Sequence, residues 1–341
     1  MDAEFVNKAG NAQIIKKAIC IHEEDTGILH KHTDFRDDSV LLTRNRKLVI
    51  SHIFTAANYE YCIYWSLHLD GTVQLEVKLT GILNTYALNP GEDTHGWGVQ
   101  VYPGVNAHLH QHLFCLRIDP QIDGQNNTVV QSDVVAATDI PPGTPGNKYG
   151  NAFHVRRTRF TTSSQAQADY HAPSSRTWDI INDSKRNPNS TLPVSYKLVS
   201  REVPSLLPPP GSLVHARAGF ARHAIHVTPY ADAQLYPAGR HVPQTTGTPS
   251  AGLPAWIAAN PDANIENADV VLWHTFGLTH VPAPEDYPVM PVEAASVLLR
   301  PRNFFVRNPC LDVPPVKAVK PSDVASGRSG RSETDKSSVE V

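Results

Sequence analysis

The chain has 341 residues, of which 40% are hydrophobic and 18% charged, so it can bury a sizeable core as one large or two ordinary domains. Its formal net charge of -3 and the lack of a basic cluster with interleaved aromatic residues argue against a nucleic-acid or membrane-surface partner. We find no run of about 18 apolar residues and no secretory signal pattern, which predicts a soluble intracellular protein that acts on small molecules.

The 28 prolines and 20 glycines interrupt the chain so often that long helices are not expected, and the fold should be mainly β. Alternating or β-rich segments predict short strands joined by turns, without a repeat of fixed period. In chain order, these segments cover residues 48–54, 61–69, 72–79, 98–102, 113–118, 128–135, 196–203 and 270–276.

The clearest local prediction is a hairpin around Asp70 and Gly71, because an Asp-Gly pair between two alternating segments is a preferred hairpin turn. After this turn, apolar and polar side chains alternate strictly, so one face should be buried and the other solvated. The apolar face would consist of Val73, Leu75, Val77 and Leu79.

The composition changes near residue 314, beyond which aromatic residues are absent and Ser, Lys, Gly, Arg, Asp and Glu dominate. Such a segment has too little apolar surface to offset the entropy of ordering it. We therefore expect an ordered domain over residues 1–315 and a disordered tail over residues 316–341. The expected location is cytoplasmic or peroxisomal. Cytoplasm is the default, because the final Ser-Val-Glu-Val is not a peroxisomal signal of the Ser-Lys-Leu type.

Three histidines at alternate positions, His108, His110 and His112, form a candidate metal site. On a strand, residues i and i+2 point to the same face about 6 to 7 Å apart, so two imidazoles can reach one ion. This spacing does not decide which two of the three would bind, and paired surface or core histidines are the ordinary alternative. A third ligand could be His274 or His280, and an imidazole-rich site with open positions suits Cu(II).

Residues 58–61 read Asn-Tyr-Glu-Tyr, within an aromatic-rich run that ends at Trp65. By itself this run is typical of a half-buried strand. Its combination with four later stretches favours a more specific interpretation. Those stretches are residues 108–119, 269–282, 284–293 and 304–315.

Taken together and in this order, the five stretches resemble the copper amine oxidases over roughly residues 11–315. The resemblance implies a large β-sandwich catalytic domain, incomplete at its N-terminal side, that forms a homodimer by exchanging long hairpin arms. It also implies a primary-amine oxidase, which converts an amine, dioxygen and water to aldehyde, ammonium and hydrogen peroxide.

The resemblance further assigns roles to single residues. Tyr59 would be the precursor of topaquinone, made by the protein's own copper site, and its quinone would take up the amine as a Schiff base. Asn58 would position the mature ring, although Asn58 and Glu60 are also common at turns and strand edges. Tyr61 and Trp65 are interpreted as packing residues. The implied copper ligands are His110, His112 and His280, which leaves His108 as a neighbour and His274 as a packed histidine.

Some members of this family bind a second, hard cation such as calcium or manganese through carboxylates and carbonyl oxygens. The resemblance places Asp119 and Asp269 at two of those positions, although both could be ordinary turn aspartates. Gln121 stands where certain members have another acid.

The family's catalytic base lies further upstream of the quinone tyrosine than the 58 residues that precede Tyr59, so the base is expected to be absent. Without it, proton abstraction could be slower by about two to four orders of magnitude. The alternative function is therefore an inactive, copper-binding β-sandwich. The four cysteines show no short spacing typical of zinc or a redox dithiol and are expected to be reduced, although in the family the counterpart of Cys20 pairs with an upstream cysteine.

Overall fold

In a computed structural model of the chain, most of the regular secondary structure is antiparallel strand, which confirms the mainly β prediction. Helices are short, as expected for a chain in which proline repeatedly removes a backbone donor and fixes φ. The structure describes residues 1–7, 9–242 and 252–316.

The strands of the described residues are numbered in chain order. The first nine are β1 (Ala3–Val6), β2 (Ala12–Ile15), β3 (Cys20–Thr33), β4 (Val40–Ala56), β5 (Tyr59–His68), β6 (Val73–Gly81), β7 (Thr85–Ala87), β8 (Gly98–Tyr102) and β9 (Val105–His108). The remainder are β10 (His110–Ile118), β11 (Thr128–Ala136), β12 (Phe153–Arg159), β13 (Gln167–Ala168), β14 (Thr177–Arg186), β15 (Pro193–Ser200), β16 (Ile225–Pro229), β17 (Val270–His280) and β18 (Met290–Arg302). The helices are α1 (Leu213–Arg217) and α2 (Leu253–Ala259), with 3-10 turns at Ala172–Ser174, Gly219–Arg222 and Pro284–Asp286.

Two sheets pack face to face and form a sandwich. The larger sheet has nine strands in the order β12-β11-β14-β15-β18-β6-β5-β4-β3, and the smaller has four in the order β10-β17-β16-β13. Their inner faces share one apolar core, because inward-facing residues alternate with outward-facing ones along each strand. The core residues from the larger sheet include Leu75, Val77, Leu79, Trp178, Ile180, Leu198 and Val297, and those from the smaller sheet include Ile118, Ile225, Leu272 and Phe276.

The hairpin predicted around Asp70 and Gly71 is present as β5 and β6, with Gly71 at a φ of +82°. Its predicted apolar face is confirmed, since three of the four side chains are buried in the sandwich core and Val73 is partly buried. The hairpin matters for function because it places Tyr59, the first residue of β5, at the edge of that core.

The longest hairpin of the described residues, β3 and β4, leaves much of its surface exposed. Ile28 and Phe35 are 58% and 89% exposed, and Ile53 is 59% exposed. This segment is a candidate for the hairpin arm that the family resemblance implies.

The predicted domain boundary near residue 315 stays a prediction, because residues 317–341 lie outside the described residues. Val316, the last described residue, donates its amide to the carbonyl of Leu42 at 2.7 Å. In the described part of the chain, none of the helices has both the length and the apolar character to cross a membrane. Cys20, Cys62, Cys115 and Cys310 are all free thiols.

Candidate active site

Tyr59 lies between the two sheets of the sandwich and is only 8% exposed. Its hydroxyl donates a hydrogen bond to Nε2 of His110 at 3.1 Å and accepts the backbone N–H of Asn84 at 2.9 Å. Burial raises the pKa of the Tyr59 phenol, against the opposing effect of the Asn84 amide. The ring packs in a small apolar cluster with Leu83, Val101, Ala107 and Met290.

The three predicted copper ligands come together from two paired strands. His110 and His112 share one face of β10, and His110 is directly opposite His280 in the antiparallel pairing of β10 with β17. The ring centroids of His110 and His112 are 4.7 Å apart, and those of His110 and His280 are 5.1 Å apart. Pairing of the strands therefore brings together predicted ligands that are distant in sequence.

A glycine allows this close pairing. Gly277, opposite Leu113, has a φ of +156°, and a Cβ at that position would lie 1.9 Å from the carbonyl oxygen of His112. A side chain would separate the two strands where they carry the histidines, so position 277 requires glycine for both its φ and its space.

Each of the three rings has one nitrogen held by a neighbouring group. His110 Nδ1 donates to the carbonyl of His108 at 2.8 Å, and Nε2 of His280 contacts the carboxylate of Asp286 at 3.1 Å. His112 Nδ1 contacts the hydroxyl of Tyr61 at 3.0 Å. Such outer partners fix the tautomer and orientation of metal-binding histidines.

The opposite nitrogens are the ones that a metal would use. Nε2 of His112 and Nδ1 of His280 are buried and have no hydrogen-bond partner among the described residues, and Nε2 of His110 contacts only the Tyr59 hydroxyl there. Burial, together with His110 and His280, lowers the pKa of His112 to about 4, and burial also lowers the pKa of His110. Both rings are therefore neutral near pH 7, as metal binding requires.

These donors fit copper, since neutral imidazoles are suitable ligands for Cu(II) and three of them leave further positions for water. The set is not preformed: in the described part of the chain, no three His, Cys, Asp or Glu side chains already meet as a metal site. Metal binding thus requires small side-chain movements, including the release or sharing of His110 Nε2 by Tyr59.

The other two candidate histidines occupy different positions. The exposed ring of His108 stacks on Tyr86 at a centroid distance of 4.9 Å. His274 is completely buried and its Nδ1 donates to the carbonyl of Ala224 at 3.0 Å. The structure thus groups His280, and not His274, with the histidine pair of β10.

The residues around Tyr59 hold its backbone and its neighbours. The Asn58 amide donates to the carbonyls of Ile82 and Leu83 at 2.8 and 3.0 Å, just before Asn84, whose N–H reaches the Tyr59 hydroxyl. The carboxylate of Glu60 accepts from the hydroxyl of Thr55 at 2.9 Å. Asn58 is therefore placed to act on Tyr59 through the segment that it anchors.

Sequence reasoning missed two polar groups of this site. Tyr61, interpreted as a packing residue, does pack against the core but also contacts His112 through its hydroxyl. Asp286, which contacts His280, lies six residues further along the chain, within the stretch 284–293 that already carried the family resemblance. Trp65 packs against the core, as expected.

The two candidate ligands of a second cation, Asp119 and Asp269, lie at the same end of the paired strands β10 and β17. Each carboxylate already has a partner. Arg117 donates to Asp119 at 3.1 Å, and the amide of Gln125 donates to Asp269 at 2.7 Å. A cation would have to displace both contacts, whereas two of the three histidines have a nitrogen without a hydrogen-bond partner among the described residues.

Comparison with known proteins agrees with this geometry. A family model described as the enzyme domain of copper amine oxidase matches residues 1–320, and the chain belongs to the copper amine oxidase family. Membership confirms the resemblance noted in the sequence and implies copper and topaquinone as cofactors.

Two curated relatives and one solved structure show how far the similarity extends. The chain is 60% identical over 329 residues to Copper amine oxidase 1 of Schizosaccharomyces pombe. The aligned residues make up 95% of this chain and 46% of the relative. It is 51% identical over 325 residues to the peroxisomal primary amine oxidase of Pichia angusta, and this alignment covers 95% of this chain and 47% of the relative. The solved structure of a copper-containing benzylamine oxidase from Hansenula Polymorpha superposes on this chain with a TM-score of 0.85 at 38% identity. The superposition covers 92% of this chain and 48% of that structure's chain. The chain thus spans about half the length of the relatives it matches.

Proposed function

We propose that this chain carries the copper and topaquinone centre of a primary-amine oxidase. The reaction is the oxidative deamination of a primary amine by dioxygen and water, with aldehyde, ammonium and hydrogen peroxide as products. The observation that carries the proposal is the grouping of three histidine rings beside one buried tyrosine, Tyr59, whose hydroxyl contacts Nε2 of His110, while Nε2 of His112 and Nδ1 of His280 have no hydrogen-bond partner among the described residues.

Three nitrogen atoms would hold the copper: Nε2 of His110, Nε2 of His112 and Nδ1 of His280. Copper and topaquinone together supply the redox chemistry with dioxygen and an electrophilic carbonyl for the amine. The protein side chains orient these groups. The carboxylate of Asp286 and the carbonyl of His108 keep His280 and His110 in the required tautomers, and the hydroxyl of Tyr61 orients the ring of His112.

Tyr59 is held for modification by contacts on both sides. Its hydroxyl lies between the imidazole of His110 and the N–H of Asn84, while its ring is enclosed by the apolar cluster around Leu83 and Met290. This enclosure keeps most of the Tyr59 side chain out of contact with bulk water. We propose that Asn58 preserves this arrangement by anchoring residues 82 and 83.

We assign no residue of this chain to the catalytic base, which the resemblance places upstream of the aligned stretch. The substrate is proposed only as a small aliphatic or aromatic primary amine. One relative is a peroxisomal enzyme by name, and we propose peroxisome or cytoplasm as the location.

We also propose a homodimer in which the β3–β4 hairpin reaches the partner. The exposed apolar side chains on this hairpin, including Ile28, Phe35 and Ile53, support that role, because such surface is normally covered in an assembly.

A second cation, calcium or manganese, is proposed at Asp119 and Asp269. Because Arg117 and Gln125 now satisfy these carboxylates, a cation must displace both contacts, and we expect weak binding. Calorimetric titration with Ca²⁺ and Mn²⁺ tests this, and equal heats from the protein and an Asp119→Asn variant would exclude the site.

The experiment that tests the main proposal begins with metal-free protein, to which Cu(II) is added in air. A quinone band in the visible spectrum and a coloured phenylhydrazine adduct are expected, and Tyr59→Phe should abolish both. Tyr64→Phe is the matched control, because Tyr64 lies on the same strand but faces Lys78 on the other side of the sheet.

Peroxide release on addition of a primary amine then distinguishes an oxidase from an inactive relative. Quinone formation with peroxide release supports the oxidase. Copper binding without a quinone band or adduct would overturn the proposal and favour the inactive copper-binding sandwich.

A further inference from the structure

A second candidate site lies on the opposite side of the nine-stranded sheet from Tyr59. Here β11, β12, β14, β15 and β18 border a cavity of about 630 Å³, which we call the basic cavity. It is on the outer face, because its lining residues Thr177 and Lys197 alternate with the core residues Trp178 and Leu198. Its lining includes five cationic side chains and no Asp or Glu: Arg176, Lys197, Arg201, Arg300 and Arg302.

Two of the five cations are neutralised by buried carboxylates just outside the lining. Arg176 donates to Asp133 at 2.8 Å, and Arg302 donates to both oxygens of Asp179 at 3.0 and 2.9 Å. Asp179 also accepts the hydroxyl of Ser132 at 2.7 Å. Both carboxylates are therefore already engaged.

The other three cations lack a close acidic partner. Arg300 reaches Asp70 only at 3.8 Å, and its side chain is half exposed. Lys197 and Arg201 form no ion pair or side-chain hydrogen bond with the described residues. Up to three positive charges thus remain available at the cavity wall.

The register of the sheet concentrates this charge. Lys197 is directly opposite Arg300 on β18 and opposite Asp179 on β14. Two like charges opposite each other on one face are destabilising without a counter-charge between them. Burial lowers the pKa of Lys197, and Arg302 acts in the same direction; Asp179 opposes them, and Arg300 adds a smaller lowering effect. The protonated ammonium at this position would be stabilised by a bound anion.

A neighbouring cavity on the same sheet differs from the basic cavity in having carboxylates in its wall. It measures about 320 Å³ and contains four arginines, but Asp179 and Asp183 are part of its wall. Arg159 pairs with Asp183 at 2.5 Å and Arg302 with Asp179 at 2.9 Å. Two of its four arginines are therefore paired with carboxylates of the cavity's own wall, whereas the wall of the basic cavity contains no carboxylate.

We propose that the basic cavity binds a small molecule that carries two or more phosphate groups. Guanidinium groups match phosphate oxygens with paired N–H donors, and a lysine adds a compact charge. The hydroxyl residues Ser175 and Thr177 in the lining offer neutral donors between the cations. The two unpaired cations and the weakly paired Arg300 suit the charge of a diphosphate or triphosphate better than that of a single phosphate group.

Isothermal titration calorimetry of the 341-residue chain with inorganic triphosphate tests this site. We expect saturable binding with one molecule per chain, weaker at higher salt because the charges are partly exposed. Lys197→Met and Arg300→Gln should each weaken binding by about tenfold or more. Lys31→Met, on the exposed β3–β4 hairpin, is the matched control and should bind as the unmodified chain does.

Three results would overturn the proposal: no saturable binding, equal binding by Lys197→Met, or equally tight binding of citrate, which would exclude phosphate as the recognised group. Melting curves of each variant verify folding, and Lys197→Met should not lower the melting temperature, since it removes a like-charge pair. Binding should be the same in metal-free protein and in Tyr59→Phe. The outcome is therefore independent of whether the chain is an oxidase.

Discussion

The hydroxyl of Tyr59 lies 3.1 Å from Nε2 of His110, the nitrogen of that ring that points away from the His108 carbonyl. The residue proposed to become the quinone thus directly contacts the proposed metal-binding set. The same oxygen is held by the N–H of Asn84, so the phenol is fixed by one group from each side.

Asn58→Ala should slow quinone formation without removing copper. The change deletes both hydrogen bonds to residues 82 and 83, which frees Asn84 and loosens the hydroxyl of Tyr59. We expect the quinone band to appear about ten- to a hundredfold more slowly after Cu(II) is added in air, as is typical for a misplaced reacting group.

Asn89→Ala serves as the control for that experiment, since the side-chain amide of Asn89 donates to Glu92 in an exposed turn, away from residues 82–84. Unchanged kinetics in Asn58→Ala would show that the 82–84 segment keeps its position without this anchor.

Asp286→Asn should weaken copper binding. The Asp286 carboxylate contacts Nε2 of His280 and also accepts the N–H of Ala283 at 2.9 Å, so it sets the ring's orientation and favours a free Nδ1. Loss of such a partner typically reduces metal affinity about 10- to 100-fold. Competition with a chelator, followed by the copper absorption or EPR signal, measures the change, and exposed Glu285→Gln should have no effect.

Gly277→Ala should be strongly destabilising. The new methyl group would lie 1.9 Å from the His112 carbonyl oxygen, so β10 and β17 must separate. We expect a loss of several kcal/mol in the free energy of unfolding, together with loss of copper binding. Gly104→Ala is the control that distinguishes backbone strain from a steric clash. Gly104 has a φ of +74°, but a Cβ there would meet nothing within 4 Å. The substitution should therefore lower the free energy of unfolding by only about 1 kcal/mol.

The protein should lose stability as the pH falls below the ordinary range of histidine. Burial lowers the pKa of His226 to about 3, with His223 and Arg222 acting in the same direction and Asp169 against them. The unfolded chain takes up this proton near pH 6.5 while the folded chain does not. The stabilisation is therefore complete above pH 6.5 and is lost progressively between pH 6.5 and about 3.

His226→Gln should flatten the pH dependence of the free energy of unfolding by up to about 1.4 kcal/mol per pH unit. Urea unfolding at several pH values between about 7.5 and 5 measures this slope. His154→Gln, on the exposed strand β12, is the control, and an equal slope in the two variants would contradict the assignment.

The features of the fold and of the candidate site that could be predicted from the sequence depend on local patterns. The Asp70-Gly71 turn and the alternation after it predict β5 and β6, because turn chemistry and side-chain period act over a few residues. The same period places His110 and His112 on one face of a strand.

The features of the site that could not be predicted depend on contacts between strands and loops that are distant in the sequence. The choice between His274 and His280 depends on the register of β17 against β10, which in turn depends on the backbone of Gly277. The contacts of Tyr61 and Asp286 depend on the packing of separate elements, and no local spacing indicates them. Only the family resemblance selected His280 from the sequence.

The pairing of His110 with His280 also sets when the cofactor can be made in a growing chain. The two residues are far apart in the sequence, yet they face each other directly. A nascent chain that has emerged only through β16 already contains Tyr59, His110 and His112 but lacks the third nitrogen donor. Since chains emerge from the N-terminus, the proposed ligand set implies that the quinone forms only after translation of β17, as a product of the folded chain.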